Sequence, residues 1–167
     1  AGMPAPDVVV RSATSLQVEW EAPETPNGKI LHYIVIASPD FSSKQLSNTQ
    51  RTLNVTGLTP FTLHSVTVKA CNVEGCFETG VVKVRTDPAA PSGQRQPVVT
   101  ALTGGRAVEI AWLAPVSQNG ELDGYKLYAI GGQKMSLLYE GTNTSFGVDD
   151  LTPQTKYTLG VTSYNKN

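Results

Sequence analysis

A repeat of 92 residues constrains the fold of this 167-residue chain more than any other feature. Trp20 recurs as Trp112, and the residues around it recur in the same order. The recurring segments are Val18-Glu19-Trp20-Glu21-Ala22-Pro23 with Ile110-Ala111-Trp112-Leu113-Ala114-Pro115, Asn27-Gly28 with Asn119-Gly120, Tyr33 with Tyr125, and Leu58-Thr59-Pro60-Phe61-Thr62 with Leu151-Thr152-Pro153-Gln154-Thr155. Landmarks in one order with a single slipped residue predict two copies of a domain of about 90 residues.

Apolar and polar residues alternate within each copy. Leu16, Val18 and Trp20 alternate with Gln17 and Glu19 in the first copy, and the second copy repeats the pattern around Trp112. A period of two is typical of strands that bury one face. The 15 glycines and 11 prolines separate these segments, as turns do. The sequence therefore predicts an all-β fold with Trp20 and Trp112 in its cores.

The charge of the chain limits the classes of partner. Lysine and arginine number 13 against 14 acidic residues, which gives a net charge of −1. Nucleic acid and anionic membranes are bound through clustered positive charge, so we expect neither as a partner. The aliphatic runs are only two or three residues long, such as Val8-Val9-Val10, so we expect no direct membrane insertion.

The repeated motifs resemble the fibronectin type III family. A tryptophan ends the predicted second strand, Ala-Pro follows it, and Leu-x-Pro-x-Thr precedes the predicted sixth strand. The resemblance implies two immunoglobulin-like β-sandwiches in tandem, over residues 1–88 and 89–167. The second copy stops near the counterpart of Asn72, so we expect it to lack its last strand. This predicts a fragment with an unpaired edge along Tyr157–Tyr164.

The resemblance also implies a role for one residue that follows each Leu-x-Pro-x-Thr motif. Tyr157 takes the family's tyrosine-corner position, where its hydroxyl would bond to nearby backbone. His64 takes that position in the first copy. Its ring is smaller and can still donate a hydrogen bond. We therefore expect a structural role for His64 and a weaker corner.

The two cysteines lie in the segment Cys71-Asn72-Val73-Glu74-Gly75-Cys76. Their spacing matches neither a thioredoxin-type pair nor a zinc pair, and we expect no histidine near them and no metal site. The family resemblance places Cys71 at the end of the sixth strand and Cys76 at the start of the seventh, which implies a disulfide across this hairpin. Two free thiols are the alternative. The hairpin motif itself resembles repeats of a very long, multi-domain ectodomain.

Two sequons and one surface patch are candidate sites outside the cores. Asn54-Val55-Thr56 and Asn143-Thr144-Ser145 match the N-glycosylation pattern. The alternation points Asn54 outward, and Asn143 falls in a polar turn, so both positions could bear a glycan. Ile34 and Ile36 are also predicted to point outward from their strand. They form either a patch for a partner or a sheet face that is partly shielded, by neighbouring side chains or a glycan.

The motifs that mark catalysis do not occur in the sequence. The two histidines, His32 and His64, belong to predicted strands, and no H-E-x-x-H, G-x-S-x-G or phosphate loop is found. We expect no enzyme activity and no cofactor. The function expected is a spacer and adhesion module of a large extracellular protein, contacting other extracellular or matrix proteins or neighbouring repeats. The alternative is a ligand-binding ectodomain fragment of a receptor, such as a receptor-type tyrosine phosphatase.

Overall fold

The computed structural model describes residues 2–101, 107–131, 134–149, 151–152 and 154–166. These residues form strands and turns without a helix, as the all-β prediction requires, so the part described offers no helix that could cross a membrane. The backbone divides into two compact units, Ala1–Asp87 and Pro88–Asn167. Each unit has its own sheets and its own core, and each is described by itself below.

The first unit packs two antiparallel sheets. One sheet has the order β1-β2-β5, and the other has the order β4-β3-β6-β7, with β8 also pairing with β6. The strands are β1 (Asp7–Ser12), β2 (Ser15–Glu19), β3 (His32–Ser38), β4 (Phe41–Ser47), β5 (Thr52–Thr56), β6 (Leu63–Asn72), β7 (Gly75–Glu78) and β8 (Val82–Arg85). The register pairs Tyr33 with Ala70 and Val35 with Val68, so the buried faces of β3 and β6 coincide.

Alternate residues of these strands form the first core, as the period of two predicts. Trp20 and Tyr33 are almost fully buried, with ring centroids 5.7 Å apart. The guanidinium of Arg51 lies 4.7 Å from the Tyr33 ring centroid. Fully burying one apolar side chain of this kind stabilises a domain by about 1.5–3 kcal/mol. The other buried core residues include Leu16, Val18, Val35, Ala37, Leu53, Val55, Leu58, Val66, Val68 and Ala70.

The second unit repeats this plan in the residues described. Its sheets have the orders β13-β10-β9 and β12-β11-β14. The strands are β9 (Val98–Ala101), β10 (Val108–Ala111), β11 (Leu122–Gly131), β12 (Lys134–Gly141), β13 (Ser145–Val148) and β14 (Tyr157–Asn165). Trp112 packs 5.9 Å from Tyr125 and 5.8 Å from Tyr139, measured between ring centroids. Ile110, Leu127 and Val148 complete the buried cluster.

The edges of the two sheets at β6 and β14 differ. β6 is flanked by β3 on one side and by β7 and β8 on the other. Among the described residues, β14 pairs with β11 only, so its second edge carries no partner strand there. This is the edge that the sequence predicts along Tyr157–Tyr164.

Two turn conformations recur at matching places in the units. Asn27 and Asn119 both adopt positive φ, at 50° and 55°. Asparagine tolerates this left-handed conformation better than most residues, which explains why the Asn-Gly pair is repeated. Phe61 and Gln154 also have positive φ, at 51° and 57°. The repeat in sequence is therefore also a repeat in backbone conformation.

Candidate functional site

The hairpin between β6 and β7 is held by a disulfide and by the hydrogen bonds of one asparagine side chain. Cys71 and Cys76 are directly opposite each other, with Cα atoms 4.0 Å apart, and form a disulfide. Asn72 closes the turn because its Oδ1 accepts hydrogen bonds from the backbone N–H groups of Glu74 and Gly75, at 2.9 and 3.2 Å. Its Nδ2 donates to the carbonyl of Pro26 at 3.2 Å, which ties the hairpin to the loop between β2 and β3.

An open groove of about 400 Å³ lies between these two loops. Pro23, Pro26 and Ile30 line one side of it, and Cys76 and Phe77 line the other. Phe77 is 52% exposed, a large fraction for an aromatic side chain. The loop end of the first unit therefore presents a shaped surface that the disulfide and Asn72 hold in place.

The disulfide leads to a first prediction. Treating the intact protein with a phosphine reductant should raise its mass by about 2 Da, because two thiols form. Reduction should also lower the free energy of unfolding of the first unit by only about 2 kcal/mol, since the loop closed by the bridge is about six residues long. Intact mass and urea titration measure the two effects. An unchanged mass would refute the bridge, and unfolding on reduction would refute its minor energetic role.

The structure corrects one expectation for the cysteines. The sequence spacing predicts no histidine near them, yet a ring nitrogen of His32 and the sulfurs of Cys71 and Cys76 all lie within 4.8 Å of one another. The reason is the register of the sheet, in which His32 pairs with Cys71 across β3 and β6. This proximity comes from residues 39 positions apart, which local spacing does not reveal.

A histidine and an aspartate form the corner of the first unit. His64 is fully buried, its Nδ1 lies 2.9 Å from the carbonyl of Thr62, and its Nε2 lies 2.8 Å from Oδ2 of Asp40. The same Asp40 oxygen accepts the backbone N–H of Thr59 at 2.7 Å. The Thr59 hydrogen bond and then the His64 hydrogen bond lower the pKa of Asp40.

A tyrosine hydroxyl accepts the corresponding backbone hydrogen bond in the second unit. The Tyr157 hydroxyl accepts the backbone N–H of Thr152 at 3.2 Å, and hydrogen bonding to Thr152 lowers the pKa of Tyr157. Thr152 is the counterpart of Thr59 in the repeat. Asp40 therefore supplies the acceptor that a phenol supplies in the second unit, and His64 orients it. The sequence indicates His64 and Tyr157 but gives no sign of Asp40.

The sequon asparagines are accessible in the structure. Asn54 lies on β5, exposed, between the buried Leu53 and Val55. Asn143 is exposed just after β12, and its backbone N–H donates to the Tyr139 hydroxyl at 2.8 Å. Both positions leave room for the bulky, solvated group that a glycan is.

Occupancy of the sequons is a second prediction. Expression through the secretory pathway should give protein that loses mass on treatment with an N-glycan-removing amidase. Asn54→Gln and Asn143→Gln should each remove one glycan, with little effect on stability because both side chains are exposed. Peptide mass mapping of the two variants measures this. Wild-type protein of unmodified mass at both sites would contradict the prediction.

The isoleucine patch is less exposed than an open surface would be. Ile34 and Ile36 are both half-buried on β3, which lies between β4 and β6. Ile34 pairs with Gln45 and Lys69, and Ile36 pairs with the buried Thr67. Lys69 also forms an ion pair with Glu78 at 3.4 Å. Polar neighbours therefore flank the apolar strip, and its use by a partner stays a prediction.

The matching strip of the second unit is charged and aromatic. Lys126 takes the place of Ile34, with its Nζ 3.2 Å from Glu140 and 5.3 Å from the ring centroid of Tyr164. The hydrogen bond to Glu140 raises the pKa of Lys126, and desolvation raises the pKa of Tyr164. The two units thus have separate cores of the same pattern, and they differ on this face of the sheet.

Two β-sandwiches with matching cores, and with a corner at the same place in each repeat, define a tandem module of the immunoglobulin-like class. The model of the fibronectin type III domain matches residues 4–83 and 89–167, so the chain belongs to the fibronectin type III family.

The chain is 34% identical to mouse (Mus musculus) usherin over 168 residues, which cover 95% of the chain and 3% of usherin. It is 30% identical to human (Homo sapiens) neogenin over 175 residues, covering 98% of the chain and 12% of neogenin. It is 26% identical to rat (Rattus norvegicus) phosphatidylinositol phosphatase PTPRQ over 160 residues, covering 93% of the chain and 7% of that protein. The likeness to usherin confirms the resemblance that the Cys71–Cys76 hairpin indicates.

Proposed function

We propose that the chain is a non-catalytic spacer and adhesion module of a large extracellular protein. The observation that carries this proposal is the division into two compact units, each with its own packed core, following one another along the chain. Modules of this kind set a distance and present their loops, and the hairpin at Cys71–Cys76 is such a loop. The similar proteins are many times longer than the chain, which supports a place within a series of repeats.

An oxidising environment is part of the proposal. Disulfides form and persist in secreted and cell-surface proteins and are rare in the reducing cytosol. The Cys71–Cys76 bridge and the two exposed sequons both suit that setting. Other extracellular or matrix proteins, or neighbouring repeats, are the partners we propose.

Capture of extracellular matrix proteins tests the adhesion role. The oxidised chain, immobilised through one terminus, is expected to retain specific matrix proteins. The same chain added free in solution should compete for these proteins and reduce their retention. A chain with both Trp20→Ala and Trp112→Ala, which disrupts both cores, serves as the control. If the folded chain retains nothing beyond what this control retains, the adhesion role is wrong.

The isoleucine strip gives a third prediction. Ile34→Lys with Ile36→Thr should leave the fold intact, because both side chains are only half-buried, and should weaken association several-fold. Retention of matrix proteins and sedimentation of the free chain measure partner binding and self-association. The paired change Lys126→Ala with Tyr128→Ala at the matching positions of the second unit is the control. Unchanged binding and self-association in the isoleucine variant would exclude the patch.

A receptor ectodomain is the second candidate, which the similarity to phosphatidylinositol phosphatase PTPRQ favours. In that case the chain binds a soluble ligand, and catalysis belongs to another part of the parent protein. A membrane-spanning segment followed by a phosphatase domain in the parent protein would support the receptor. A long further series of repeats would support the spacer.

A further inference from the structure

Three metal-ligating side chains occupy one row across three neighbouring strands. His32 on β3 pairs with Cys71 on β6, and Cys71 pairs with Cys76 on β7. Directly opposite residues of antiparallel strands project from the same face of the sheet. Accordingly, a ring nitrogen of His32 and both sulfurs lie within 4.8 Å of one another.

We propose that reduction of the Cys71–Cys76 disulfide converts this row into a binding site for one Zn²⁺ ion, held by two thiolates and the imidazole of His32. A Cys₂His donor set is an established one for zinc, with a fourth position open to solvent. The proposal does not depend on the proposed spacer function, since it concerns the reduced hairpin alone.

The distances suit a tetrahedral zinc ion. Zn–S bonds of about 2.3 Å and Zn–N bonds of about 2.0–2.1 Å place neighbouring donors roughly 3.6–3.8 Å apart. The sulfurs separate from bonding distance to this spacing, and the His32 nitrogen has little more than an ångström to move. Side-chain rotation accounts for shifts of this size, so the backbone register of the three strands can stay as it is.

The surroundings keep the donors together after the disulfide is broken. The turn is closed by Asn72, whose Oδ1 accepts the N–H groups of Glu74 and Gly75, and these bonds do not involve sulfur. Backbone pairing of β6 with β7 extends to Lys69 and Glu78. Cys71 is only 1% exposed, so one ligand is shielded from water, while the exposed Cys76 leaves the ion a route in.

The chemistry balances with a phosphine as the reductant. The phosphine and one water molecule become a phosphine oxide, and the disulfide takes up two electrons and two protons to give two thiols. Zn²⁺ then displaces both thiol protons, so that two protons are released for each ion bound.

Cobalt(II) is the probe for this site, since its visible and near-ultraviolet bands report thiolate ligands and four-coordination. The phosphine-reduced, oxygen-free chain should bind one Co²⁺ with these bands, and Zn²⁺ should displace it. The oxidised chain should show none. His32→Ala should weaken Co²⁺ binding by at least about tenfold, and Cys76→Ser should abolish the thiolate bands. Ile34→Ala, on the same strand and face without a donor atom, should bind as the wild type does.

Several results would overturn the proposal. Reduced wild-type chain that binds Co²⁺ no better than the oxidised chain would exclude the site. Equal affinity of His32→Ala and wild type would reduce it to a dithiol without the histidine. Near-ultraviolet circular dichroism of each protein before metal addition checks the fold, and loss of the folded signal on reduction would also overturn the proposal, because the site needs the β3–β6–β7 register.

Discussion

Replacing Trp20 with alanine is expected to lower the free energy of unfolding of the first domain by about 3–5 kcal/mol and to leave the second domain unchanged. Trp20 is 4% exposed and packs against Tyr33 at the centre of its core. Its indole N–H has no hydrogen-bond partner among the described residues, so the loss is one of packing. The second core is built from different residues around Trp112 and does not contribute to this cluster.

Urea unfolding followed by tryptophan fluorescence measures this effect directly. Each domain contains one tryptophan, so Trp20→Ala leaves Trp112 to report on the second domain, and Trp112→Ala leaves Trp20 to report on the first. Circular dichroism follows the domain that has lost its reporter. The reciprocal variant is the matched control. A shift of both transitions by either single substitution would show that the two cores are not independent.

Replacing Asp40 with alanine is expected to lower the free energy of unfolding of the first domain by about 2–3 kcal/mol. The change leaves Nε2 of the fully buried His64 and the backbone N–H of Thr59 without their acceptor. The acceptor that both groups lose is one oxygen of the Asp40 carboxylate, a charged group. Charge-assisted hydrogen bonds are stronger than neutral ones.

The tyrosine of the second domain gives the comparison. Tyr157→Phe removes one neutral hydrogen bond, to the backbone N–H of Thr152, and should cost about 1 kcal/mol. The replacement of tyrosine by histidine predicts, by itself, that the corner of the first domain stabilises its domain less than the corner of the second. The hydrogen bonds of Asp40 predict the opposite, that the first corner contributes more. Urea titration of both variants decides between them. A smaller loss for Asp40→Ala than for Tyr157→Phe would show that the aspartate contributes little.

Acid should remove the contribution of Asp40. Because its pKa in the folded domain lies below that of an unfolded aspartate, about 3.9, the carboxylate stabilises the fold above that pH. The stability is lost as the pH falls through the lowered pKa. The difference in unfolding free energy between wild type and Asp40→Asn should therefore shrink as the pH falls below about 4. A difference that stays constant from neutral pH to pH 2 would contradict this.

The fold could be predicted from the sequence because its signals are local and repeated. The alternation around Trp20 and Trp112, with Pro and Asn-Gly at fixed distances, predicts the strands, and the structure has them. The candidate sites depend on contacts between strands. His32 meets Cys71 only through the β3–β6 register, and a slip of one residue would place the two on opposite faces.

The role of Asp40 could not be predicted from the sequence for a related reason. It lies in the turn between β3 and β4, where an acidic residue is ordinarily interpreted as a solvated turn residue. Its partner His64 is 24 positions away, on a strand of the same sheet. The repeat offers no hint either, since the second copy uses a tyrosine and needs no aspartate. When two residues, His64 and Asp40, take the role of one tyrosine, the spacing of the repeated motifs does not change.

Stretching the intact chain from its two ends tests most directly whether it is two self-contained modules in series. At about 3.6 Å per extended residue, units of 87 and 80 residues predict two separate unfolding steps. Each step should lengthen the chain by roughly 250–300 Å. Trp20→Ala should weaken one step only. A single step of roughly twice that length, or smooth extension without steps, would contradict the modular organisation.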